Sequence, residues 1–105
     1  MSLDKARKRY IPMSETMFYI LLSLKQERHG YAIMQSVKKL TQGRIILGAG
    51  TVFSSLGKLE SDGLIKCVRE EARRKIYAIT TVGSEILREE FVRITELYDN
   101  AKESL

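Results

Sequence analysis

The stretch Arg44–Gly57, RIILGAGTVFSSLG, holds the residues with the most chemical potential in this chain. Gly48 and Gly50 open a turn, and the hydroxyls of Thr51, Ser54 and Ser55 follow at the start of a helical pattern, with Lys58 just beyond. A glycine turn running into a helix could cradle a nucleotide phosphate on backbone N–H groups. The same hydroxyls and ammonium could instead meet phosphates and base edges in the major groove of DNA. Spacing excludes the first chemistry. A dinucleotide fingerprint, G-x-G-x-x-G, needs a third glycine where this chain has Phe53, and no Gly-Lys-Ser/Thr follows to make a P-loop. Thr51, Ser54, Ser55 and Lys58 all fall on the side of the helix opposite Val52, Leu56 and Leu59. That face is either solvated and inert or a recognition face.

A second cluster is Arg73-Arg74-Lys75, which places three cations side by side in what reads as a hairpin tip. Crowded like charges repel, and an anionic partner would relieve them. Glu70 and Glu71 stand close enough in sequence to neutralise part of the tip and aim it. Tyr31 opens a helix after the turn QERHG and can reach a phosphate, because the turn of a helix-turn-helix faces the backbone. The single histidine, His29, has no set of companion ligands and reads as a turn or core residue. With one histidine and one cysteine, no metal site is expected, and no cofactor. No acid, base and nucleophile assemble into a catalytic pattern, so an enzyme is not expected.

These residues need elements to position them. Pro12 disfavours helix just before it, leaving residues 1–12 as a basic N-terminal arm or helix start. Its KARKR run, Lys5 to Arg9, reads either as an arm lying along DNA or as a disordered tail. Ser14 can cap a first core helix in which Met17, Ile20, Leu21 and Leu24 recur at helical spacing. A second helix carries Ile33, Met34, Val37 and Leu40 on one side and ends at Gly43. RIIL reads as a short strand-like piece, and a third helix closes at Gly63. LIKCVR and KIYAIT alternate as two half-buried strands joined by EEARR, with Cys67 and Tyr77 facing inward. Thr80 or Thr81 can cap a last helix from Val82 to about Glu103, roughly 33 Å long at 1.5 Å per residue. The fold class expected is α+β, mainly α: a winged helix-turn-helix over residues 13–81 and a long C-terminal dimerisation helix over residues 82–105.

The last helix carries Leu87, Phe91, Ile94 and Tyr98 at steps of four, three and four, an a/d seam that Leu105 continues. Packing back on its own domain is one use. A second copy is favoured, because a two-fold dimer presents two recognition helices to half-sites of a pseudo-palindromic operator in double-stranded DNA.

Charge agrees with an anionic partner. Residues 1–81 hold fifteen Lys/Arg against seven Asp/Glu, whereas residues 82–105 hold three against six, giving +5 for all 105 residues. The apolar share of 44% and charged share of 30% are ordinary for a globular protein. No run approaches the roughly 18 apolar residues of a membrane span, and the basic N-terminus lacks an apolar signal core. With its lone cysteine, the chain is expected to be cytoplasmic and not membrane-associated. A redox role for Cys67 has no basic cluster forced beside it.

LLSL with HGYAIM (Leu21 to Met34), LGAGTVFSSLGKLESDGLI (Leu47 to Ile65) and RRKIYAITTVG (Arg73 to Gly83) together resemble the PadR family of bacterial transcriptional regulators. The motifs run in the family's order and cover most of the chain. Ser54, Gly57 and Ala78 depart from it, standing where proline, a helix-favouring residue and a basic residue are common. The short C-terminal part is similar to the compact subfamily with a single dimerisation helix, some of whose members resemble multidrug-sensing repressors. In such relatives an N-terminal helix also joins the dimer contact.

The resemblance implies a homodimeric repressor that a small hydrophobic or aromatic effector releases at the dimer interface. Without tryptophan, stacking there would fall to Phe91 or Tyr98. A winged-helix module for protein–protein contact, with no DNA of its own, is the alternative from another class; the basic residues 1–81 argue against it.

Overall fold

The computed structural model describes all residues 1–105 as five helices and one hairpin: α1 Leu3–Tyr10, α2 Glu15–Ser23, α3 Gly30–Leu40, α4 Ala49–Ser61, β1 Ile65–Glu71, β2 Arg74–Ile79 and α5 Thr81–Ser104. Short polar side chains start most of the helices. The hydroxyls of Ser2, Ser14 and Thr80 accept from the backbone N–H groups of Lys5, Met17 and Gly83. Each satisfies one of the unpaired donors of a first helical turn.

The apolar stripes converge on one core. Ile20 and Leu21 of α2 with Leu24 just past its end, Ile33 and Val37 of α3, and Val52, Leu56 and Leu59 of α4 are buried together with Leu64, Tyr77 and Ile86. Each fully buried Leu or Ile contributes roughly 1.5–3 kcal/mol relative to an exposed one. Leu40, expected on the α3 stripe, is exposed at the last turn.

Residues 3–10 are neither an extended arm nor a tail. They form a capped helix whose Ala6 and Tyr10 are buried in the core, with Leu3 packed against it. The spacing of these three residues gives α1 one apolar edge, and that edge lies on α5, where Arg7 Nε donates to Glu89 at 2.8 Å.

RIIL is not a strand. The chain turns through positive φ at Gln42 and Gly43, and Thr41 Oγ1 accepts from Ile45 N–H at 3.0 Å, so the segment folds back with no strand beside it. The hairpin instead gains a third contact from the α2–α3 turn. Arg28 and Tyr77 exchange two backbone hydrogen bonds, of 3.0 and 2.8 Å.

EEARR is likewise not a loop. The antiparallel ladder continues through Glu70 opposite Lys75 and Glu71 opposite Arg74, leaving only Ala72 and Arg73 to make the turn. Both have positive φ, as a two-residue hairpin turn of the primed type requires. The ladder also bulges between Cys67 and Arg69, which leaves Val68 unpaired.

The 24 residues of α5 span about 36 Å. Its first turns are seated in the core through Ile86 and Leu87. Gly83 permits this, since a Cβ there would stand 2.1 Å from the Leu64 carbonyl oxygen. Glu90 is the last buried residue of the helix, its carboxylate held by Arg93 at 2.7 Å and by the Met13 N–H at 3.1 Å. Arg93 and that backbone bond hold the carboxyl below its usual range, against the opposing effect of burial.

Candidate nucleic-acid interface

Three elements meet around the start of α3. His29 is the N-cap, its Nδ1 accepting from Ala32 N–H at 3.1 Å. Gly30 follows with no side chain, and the Phe53 ring of α4 takes that space; a Cβ at Gly30 would lie 2.7 Å from two ring carbons. Tyr31 then meets Phe53 edge to face, with ring centres 5.5 Å apart. From the wing, the Arg74 guanidinium sits over the Tyr31 ring at 5.4 Å, with Nη1 3.3 Å from His29 Nε2. The space between them is a cavity of about 340 Å³ lined by His29, Tyr31, Phe53, Arg73, Arg74 and Lys75, with Gly30 and Tyr77.

The electrostatics of this cavity are set by which carboxylates are already engaged. Glu71 faces Arg74 across the ladder but pairs with Arg69 at 2.6 Å, and Arg69 also holds Glu27. Those two partners keep the Arg69 guanidinium firmly charged. Arg44 is paired with Glu15, and Arg9 with Asp62 at 2.9 Å. Arg73, Arg74 and Lys75 have no carboxylate within 4 Å. Of the two acids in the tip, Glu71 is thus drawn to Arg69, while Glu70 stands opposite Lys75 in the ladder without an ion pair. Unpaired cations beside aromatic faces suit a polyanion, which would release their counterions.

On α4, Thr51 and Ser54 are exposed and Ser55 is half-buried. All three lie in the first two turns of the helix, where Gly48 supplies no side-chain cap and the first N–H groups stay open to an acceptor. Lys58 lies apart from this group. It is about two turns further along the helix, its Nζ 5.5 Å from the centre of the Tyr10 ring. The structure thus brings Tyr31, Arg73, Arg74 and Lys75 to one cavity, leaves Thr51, Ser54 and Ser55 outside its lining, and turns Lys58 toward α1. Phe53 and His29 complete the site, a role that their spacing in the sequence does not reveal. The one signal for it is the glycine between their elements: Gly30 reads as a turn residue but serves as the floor under Phe53.

The seam of α5 divides. Leu87 is 7% exposed and belongs to the core of its own chain, whereas Phe91 and Tyr98 are 61% and 63% exposed and Ile94 is also exposed. Val92 and Leu97 add to the bare apolar surface. Phe91 lines a shallow cavity with Phe18, Leu22 and Leu87, and Ile94 lines another of about 360 Å³ with Met13, Phe18, Tyr19 and Arg93. Tyr98 lines neither, so Phe91 and Tyr98 do not share a cavity within one chain. Cys67 is half-buried and unpaired, with Sγ 3.4 Å from the Arg69 carbonyl oxygen. No helix is long and apolar enough to cross a membrane.

Known proteins share this fold. A transcriptional regulator from Clostridium thermocellum superposes with a TM-score of 0.70 at 23% identity, over 100% of this chain and 97% of its own. A PadR family transcriptional regulator from Eggerthella lenta gives 0.71 at 24% identity, over 96% and 86%. In sequence, the chain is 28% identical over 97 residues to the transcriptional regulator YqjI of Escherichia coli, covering 91% of this chain and 47% of the relative. The chain thus spans about half the length of that relative. Residues 19–89 match the transcriptional regulator PadR-like family. That match runs from α2 through the wing into the seated half of α5, and the chain belongs to the PadR-like family of transcriptional regulators.

Proposed function

We propose that this regulator is a homodimeric, sequence-specific DNA-binding repressor. The α4 helices of two copies enter successive major grooves, and Thr51, Ser54, Ser55 and Lys58 meet phosphates and base edges. Tyr31, Arg73, Arg74 and Lys75 hold the flanking backbone. Paired α5 helices, in contact through Phe91, Ile94 and Tyr98, fix the spacing between the two reading heads. A small hydrophobic or aromatic effector at that interface, near Phe91 and Tyr98, releases DNA by favouring a different angle between protomers; only unequal affinity for the two arrangements can do this.

The observation that carries this reading is the cation cluster at the start of α3, none of whose members makes an ion pair, with Glu71 committed to Arg69. Binding of a random-sequence duplex, followed as salt is raised, tests it. Affinity should fall log-linearly with salt, with a slope of about −0.9 for each phosphate contacted. No binding at low salt, or binding indifferent to salt, would overturn the reading.

A further inference from the structure

The capping role of His29 fixes its chemistry. A neutral imidazole has one donor nitrogen and one acceptor. Nδ1 is the acceptor, because it takes the Ala32 N–H at 3.1 Å. Nε2 therefore carries the hydrogen, yet 3.3 Å away stands Arg74 Nη1, which can only donate. Neither can satisfy the other. The two donor nitrogens stand side by side at the cavity, one fixed by a helix cap and the other steadied over the Tyr31 ring at 5.4 Å. No carboxylate enters that space: Glu71, across the ladder from Arg74, is bonded to Arg69.

Adjacent donors that share no acceptor offer an anion site. We infer that His29 and Arg74 form a clasp for a single phosphodiester group of the DNA backbone, with Nε2–H and the guanidinium each donating to a non-bridging oxygen. The inference rests on the DNA-binding reading above and adds a residue and a division of labour to it. Arg74 supplies charge, His29 supplies a directed neutral hydrogen bond, and Tyr31 with Phe53 forms the wall that keeps both in place. Arg73 sits in the turn itself, where no ring or cap constrains its side chain, and is not part of the clasp.

His29→Asn separates the cap from the clasp. Asparagine is a strong N-cap, so its side-chain oxygen can replace Nδ1, but its short side chain does not carry a donor to the Nε2 position. Arg74→Gln removes the charge at an exposed position. Duplex affinity of the full chain is measured for the wild type, each variant and the double variant, using one random-sequence duplex over a range of salt. His29→Asn should bind about tenfold more weakly, the worth of one hydrogen bond to a charged group, with the salt slope unchanged. Arg74→Gln should also weaken binding and make the slope shallower by about 0.9. The double variant should lose less than the product of the two, since both donors serve one phosphate.

Full affinity in His29→Asn, or losses that simply multiply, overturns the clasp and leaves the DNA-binding reading standing. A wild-type chain that binds no duplex overturns both. The chain has a single histidine, so its ring nitrogens can be followed by NMR in the unmodified protein. A protonated Nε2 and bare Nδ1 are expected; the opposite tautomer overturns the clasp whatever the variants do.

Discussion

The Tyr10 hydroxyl donates to Asp62 Oδ2 at 2.5 Å, and by this bond the first helix holds the far end of α4. Asp62 follows the last turn of α4, where its negative charge faces the unfavourable end of the helix dipole. Tyr10 and Arg9, with Lys58 nearby, offset that charge and hold the carboxyl below its usual range.

Removing the hydroxyl should therefore be costly. Tyr10→Phe leaves a buried carboxylate short of one donor, and urea unfolding at pH 7 should show a loss of about 1–3 kcal/mol. The sign of the pH dependence follows from the lowered folded pKa of Asp62. Its contribution is full above the unfolded value near 3.9 and is lost as pH falls through the lower folded value. The stability of Tyr10→Phe should accordingly fall less steeply than that of the wild type below about pH 4. An equal decline in both proteins would show that Asp62 does not depend on Tyr10.

Two helical glycines should respond to alanine with opposite signs. Gly57 has open space around it, so Gly57→Ala should stabilise the fold by about 1 kcal/mol through helix propensity alone. A thermal midpoint about 4–8 °C higher is the expected reading. Gly83→Ala must instead displace the Leu64 carbonyl or the whole start of α5, and should cost about 1–3 kcal/mol or more.

The wing cations should act on affinity and not on folding. Replacing Arg73, Arg74 and Lys75 with alanine should weaken binding to every sequence and make the salt dependence shallower by about 0.9 for each phosphate that goes unneutralised. All three are exposed, so stability should stay within about 0.5 kcal/mol. An unchanged slope would mean that the wing does not touch phosphate.

Assembly should depend on the bare half of the α5 seam. Phe91→Glu with Ile94→Glu should give monomers by light scattering with folding intact, because both side chains are exposed in the single chain. A charge at Leu87 would be a poor test, since that residue is 7% exposed and would unfold its own core. Dimers that persist in the double variant would place the interface elsewhere.

Periodicity makes the helices legible, because each needs only its own stripe and cap. Ile20, Leu21 and Leu24 are buried as their spacing requires, and Thr80 caps α5 where a hydroxyl precedes the run. Sequence misleads where a partner outside the segment decides. RIIL has strand-like residues but no neighbour to pair with, while Arg28, in a polar turn, finds Tyr77. Glu70 and Glu71 look like loop residues until the two-residue turn at Ala72-Arg73 draws them into the ladder. In the candidate site, the cations are visible as a run. The freedom of Arg74 is not, since it depends on Glu71 choosing Arg69, a pairing that spacing alone cannot show.

The short first helix has a mechanical consequence. Arg7 grips Glu89 of α5, and one turn later Tyr10 grips Asp62 at the end of α4, so a single rigid rod is pinned at both points. The other end of α4 rests on Gly30 through Phe53. The helix that would read bases is thus clamped like a lever between a fulcrum at Phe53 and a tie-rod to α5. By reciprocity, whatever energy a tilt of α5 spends on moving that lever, any ligand that fixes the lever must spend in the opposite direction on α5.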